Sequence, residues 1–161
     1  MKPVEKIKNN FHSVKDIWLF ISIFFWATVL PLILKYLPLS KAMEMITPSD
    51  TQRNAANNKK SAQEKIVRYT DYILSLNCWI YRSTCLKRSL LLYRFLSKVG
   101  INVQVCFGLK FNENLISKDT KENLDGHAWL LLDGEIFLER NIEMVRGYKI
   151  TYRFPISQPQ A

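Results

Sequence analysis

From Ile17 to Leu34 the chain reads IWLFISIFFWATVLPLIL, eighteen residues whose only polar members are Ser22 and Thr28. A run of that length has to leave water: it crosses a bilayer, lies on one, or is buried in the protein's own core. Two prolines argue against a simple span. Pro31 lacks an N–H and crowds the preceding turn, so a helix begun near Ser13 is expected to kink or end there, leaving two apolar segments over about residues 13–30 and 31–46. Lys and Arg show no asymmetry across the stretch. The preferred reading is a helical hairpin, buried or forming a groove, with membrane-surface attachment and a true span as the alternatives. The run is too long for a signal-peptide core and has no small-x-small cleavage site, so no secretory signal is expected.

With 161 residues one domain is expected, large enough to fold without disulfides or a structural metal. Three cysteines cannot all pair, and a reducing cytoplasm is the expected compartment, with membrane association left open. The net charge of +9 is uneven. Residues 1–50 carry 6 basic and 4 acidic groups, 51–110 carry 11 and 2, and 111–161 carry 6 and 8. The excess therefore lies in the middle of the chain. It reads as solvated helix faces, and no nucleic acid is expected, because no RNA- or DNA-binding motif or aromatic stacking platform accompanies it.

Three parts follow from composition and period: an apolar helical segment (1–50), a polar linker (51–61) and a core (62–161). In the core, SAQEKIVRYTDYILSL has helical spacing with a capping box at Ser61 and Glu64. CLKRSLLLYRFLSKVG is the clearest helix, capped by Ser83 or Thr84 and closed by Gly100. The period then changes to two: VQVCFGLKF reads as a strand, residues 112–126 as a polar loop, and HAWLLL, DG and EIFLER as a hairpin. Helices followed by strands predict an α+β fold.

Cys85 falls in the first turn of that helix, where the dipole and free backbone N–H groups favour thiolate. Arg82, Lys87 and Arg88 add positive charge. Of two histidines, His12 lacks a supporting pattern, whereas His127 opens a predicted strand. A Cys–His pair is the arrangement for attack on an acyl carbon, and the first amides of the helix suit an oxyanion. The acid that orients the imidazole depends on hairpin register. A two-residue turn at Asp133 and Gly134 places Arg140 opposite His127 and turns Glu139 away, whereas a three-residue turn places Glu139 directly across. Asn141 is the fallback. A zinc site from Cys78, Cys85, Cys106 and His127 has poor spacing. Trp129 is read as core or as a wall of the site, Cys106 and Cys78 as structural, and Arg88 as a surface arginine or a support for Cys85.

Together CLKRSLLLYRFLSKVGINVQVCFGLKF and GHAWLLLDGEIFLE resemble the transglutaminase-like cysteine peptidase of lasso-peptide biosynthesis. That peptidase is the C-terminal domain of the microcin-processing B protein, and it also occurs as a stand-alone chain. The likeness covers roughly residues 62–142, with Trp18 and Leu37-Pro38-Leu39 echoing the family's N-terminal helical part. It implies a papain/transglutaminase-like core with Cys85 as nucleophile, His127 as base then acid, and Glu139, where the family usually has Asp, as the orienting acid. It also implies leader cleavage from a ribosomal precursor through a thioester, with no metal or other cofactor. The leader-recognition domain of fused relatives is not expected in residues 1–60. A separate leader-recognition protein and an ATP-dependent cyclase are therefore the expected partners. An acyl transferase acting on another peptide, and a non-catalytic membrane-associated binding protein, are the alternatives.

Overall fold

The computed structural model describes residues 14–49, 56–76, 84–111, 124–139 and 141–155. Among them are helices α1 (Val14–Tyr36), α2 (Leu39–Ile46), α3 (Ala56–Ser75), α4 (Cys85–Lys98) and α5 (Ile142–Arg146). Strands β1 (Val103–Phe111), β2 (Leu124–Leu132), β3 (Glu135–Phe137) and β4 (Lys149–Phe154) form one antiparallel sheet in the order β3-β2-β1-β4. The fold is α+β, as expected.

Helix α1 corrects the expected break at Pro31, since it continues to Tyr36 with the proline inside it. Leu30 and Ile33, buried on either side of the proline, anchor both halves to the core. The cost of a missing N–H is met by packing. The break falls instead at Pro38, whose extended backbone starts α2. The suggested cap, Ser13, lies outside the described residues.

One face of α1 (Ile23, Ala27, Leu30) shares a core cluster with α3 (Ile66, Ile73), α4 (Leu90, Leu92, Leu96) and the sheet (Val103, Val105, Leu130). Asp16 pairs with Lys65 of α3 at 2.8 Å. The opposite face is apolar and bare, with Trp18 66%, Ile21 58%, Phe25 58% and Leu32 55% exposed. By length and composition α1 is a helix able to cross a membrane.

Two further expectations change. Helix α3 starts at Ala56, so residues 56–61 of the polar stretch are helical and Ser61 lies inside the helix, not at its cap. Strand β2 starts at Leu124, three residues before His127, and its first residues pair with the end of β1. Beyond the hairpin, α5 and β4 were not anticipated. β4 pairs with β1 and completes the sheet.

Helix α4 lies between the sheet and the other helices, and seven of its fourteen residues are buried. Thr84 caps it, accepting from the Lys87 N–H at 3.2 Å. Ser83 lies outside the described residues. Gly100, at φ 81°, ends the helix: its N–H reaches the Ser97 carbonyl, and the Ile101 N–H reaches the Leu96 carbonyl, at 3.0 Å each. That pair of bonds satisfies two orphan carbonyls with a residue that tolerates the left-handed backbone.

Candidate active site

Cys85 is the first residue of α4 and is half-buried. The amides of Cys85 and Leu86 have no carbonyl to bond within the helix, because the first turn of any helix leaves its N–H groups over. The expected cationic surroundings are thinner than charge counting suggested. Arg88 is engaged by Asp71, with Nε to Oδ1 at 2.7 Å, and burial lowers the Lys87 amine. Arg82 lies outside the described residues.

The turn that carries Cys85 is tied to the rest of the site. Ser89, buried one turn later, donates to the Ala128 carbonyl at 2.9 Å and pins α4 to the strand residue that follows His127. Cys85, Arg88 and Ser89 are spaced i, i+3 and i+4, so all three project from one face of the helix. The CLKRS motif therefore reads as a nucleophile position with two attachments to neighbouring elements.

His127 sits on β2 with Gly108 of β1 opposite. Its ring stacks on Trp129, with centroids 6.0 Å apart and planes 19° from parallel, and lies against Tyr148 at 5.3 Å. Trp129 is both core and wall. Gly108 makes this possible: a Cβ there would stand 2.7 Å from the Trp129 ring and 3.0 Å from Tyr148 Cβ. Tyr148 donates its hydroxyl to Asp125, and that bond, followed by desolvation and the negative charge of Asp125, pushes the phenol up to about 12. Cys85 is the smallest contributor to the same rise.

Glu139 Oε2 lies 3.7 Å from His127 Nε2, and the two side chains are only 14% and 12% exposed. That is ion-pair range but longer than a hydrogen bond, and Nε2 is buried with no hydrogen-bond partner. Sites without substrate are often this loose and tighten on binding.

The hairpin has the two-residue turn, with Leu132 opposite Glu135 and with Asp133 and Gly134 both at positive φ. Continued, that register would have turned Glu139 away. Instead β3 ends at Phe137, and Leu138 takes a left-handed conformation at φ 58°, which redirects the next residue toward His127. Asn141, the fallback, is occupied as the cap of α5, where its side chain accepts from the Met144 N–H at 3.1 Å.

Cys106 is fully buried, and burial pushes its thiol up, as expected of a structural cysteine. Cys78 and His12 lie outside the described residues. No group of three or more His, Cys, Asp or Glu among the described residues is arranged to hold a metal ion. Tyr148, Asp125 and Gly108 were missed in the sequence. Only Gly108 carried a signal, since a glycine within a strand marks a close approach or a bulge, and the β1–β4 register does shift there.

No curated protein and no solved structure matches the chain significantly. The model of the transglutaminase-like superfamily matches residues 30–153, which take in every element of the site and the end of α1. A match over that share of the sequence, on an α+β fold with cysteine, histidine and acid held on a helix start, a central strand and the bend beyond its hairpin, means that the chain belongs to the transglutaminase-like superfamily.

Proposed function

We propose that the protein is a cysteine peptidase that removes the leader from a ribosomally made precursor peptide during lasso-peptide maturation. The observation that carries the catalytic part is Cys85 at the start of a helix that Ser89 ties to the His127 strand, with the imidazole of His127 facing Glu139. The leader-specific part rests on the resemblance of the CLKRSL and GHAW segments.

In this reading the Cys85 sulfur attacks the carbonyl carbon of the scissile bond while His127 takes the thiol proton. The oxyanion is met by the amides at the start of α4. Breaking the C–N bond sends the proton from His127 to the leaving amine and leaves a thioester on Cys85. Water then adds, giving its proton to His127. The thioester collapses to a carboxylate, and the proton returns to the sulfur. Glu139 holds the imidazole in orientation and offsets its charge when protonated. Cys106 takes no part. A separate leader-recognition protein and an ATP-dependent cyclase are the partners that go with this reading.

The test is to incubate the chain with the precursor encoded beside its gene and with the leader-recognition protein, in water enriched in oxygen-18. The expected products are free leader carrying one heavy oxygen and free core peptide, with the rate falling on the order of a thousandfold or more in Cys85→Ala. Transfer of the acyl group to an added amine, with no heavy oxygen incorporated, identifies an acyl transferase instead.

A further inference from the structure

Glu139 reaches His127 only because the chain departs from the sheet at Leu138, and that departure has a cost. A branched, non-glycine residue in the left-handed region persists only where its surroundings hold it there. Two things hold Leu138. Its side chain packs against the main core cluster. Its carbonyl accepts from Arg88 Nη1 at 2.9 Å.

Arg88 is itself fixed from the other side. Its Nε and Nη2 bond the two carboxylate oxygens of Asp71 on α3 at 2.7 and 3.3 Å, the fork geometry that suits guanidinium and carboxylate. The charges are matched, the arginine side chain is only 19% exposed, and the third donor direction is aimed at the bend.

We propose that Arg88 is a positioning residue for the triad: braced by Asp71, it holds the Leu138 carbonyl and with it the bend that delivers Glu139 to His127. The inference rests on the reading of Cys85, His127 and Glu139 as a catalytic set. It gives the arginine of CLKRS a role separate from charge, because its guanidinium is committed to Asp71 and to a backbone carbonyl. The helix that presents the nucleophile thereby also sets the orienting acid. Lysine cannot replace it fully, since one ammonium does not reproduce the planar fork.

The experiment measures Cys85 alkylation by iodoacetamide, followed by peptide mass spectrometry, at pH 6 and at pH 9. Each variant is compared only where circular dichroism shows it fully folded at both pH values, because an unfolded fraction alkylates as a free thiol and lowers the ratio by itself. Glu139 favours the imidazolium that accompanies a thiolate, so its removal lowers the rate at pH 6 relative to pH 9. The ratio should fall roughly three- to tenfold in Glu139→Gln, the scale of losing one contact to a partly buried charge. It should fall similarly in Arg88→Gln, and less in Arg88→Lys and Asp71→Asn, which also serve if Arg88→Gln folds poorly. The double variant Arg88→Gln with Glu139→Gln should be no lower than Glu139→Gln alone, since both act through one contact.

A ratio that responds to Glu139→Gln but not to any Arg88 or Asp71 variant overturns the positioning role and leaves the triad standing. Full additivity in the double variant also overturns it. A ratio insensitive to Glu139→Gln removes Glu139 from the site, and the role of Arg88 with it.

Discussion

A phenol that donates to a carboxylate is a weaker acid than one in water, and Tyr148 is held that way by Asp125 beside the imidazole. Its neutral form is the favoured one. The stability this contributes is fully present below the ordinary tyrosine range near 10 and is lost as pH rises through about 12. In an ultraviolet titration of the seven tyrosines, Tyr148 should therefore ionise late, as should Tyr93, whose phenol burial pushes up. In Asp125→Asn the Tyr148 step should move back toward the ordinary range, because the acceptor's charge is gone, while Tyr148→Phe removes that step and leaves the late ionisation of Tyr93. At this scale Cys85 and His127 stood out because cysteine and histidine are rare in the chain, whereas Glu139, one of fourteen acidic residues, was singled out only through hairpin register and the family resemblance. Tyr148 did not stand out: it acts through a contact to Asp125 twenty-three positions away, in a segment with no pattern of its own.

Elements were legible where a period or a cap marks them and less so where tertiary contacts decide. Helix α4 is capped by Thr84 and closed by Gly100, both expected, because those signals are local. Pro31 misled because its penalty is local while the compensation, burial of Leu30 and Ile33, comes from the rest of the molecule. Strand β4 is short, and its alternation shows only on a sheet already built. The hairpin offered two registers with opposite consequences for Glu139, and a single left-handed residue reconciled the less favourable one with a meeting of acid and imidazole. The two faces of α1 lead to a contrast that can be measured. Ile23→Ala, at a fully buried position, should cost about 2–5 kcal/mol in denaturant unfolding. Phe25→Ser, on the bare face, should stay within roughly 0.5–1 kcal/mol of wild type.

For the whole molecule, α1 is part of the domain and not an appendage to it. Its inner residues complete the same cluster that holds α3, α4 and the sheet. Removing residues 14–36 should therefore abolish the cooperative thermal transition seen by circular dichroism; an unchanged transition would make α1 a dispensable attachment. The same packing bears on any contact with lipid. With its inner face in the core and Asp16 paired with Lys65, the helix presents an outer row of Trp18, Ile21, Phe25 and Leu32 to any such contact. The first turn of α4 is the other feature with molecule-wide reach. Cys85 opens it, Arg88 and Ser89 follow one turn on along the same face, and through these two α3, β2 and the bend after β3 are fastened together. Any change that shifts this stretch of helix would therefore disturb the thiol, the strand that bears the imidazole and the brace behind the acid together, because all three hang on one anchor.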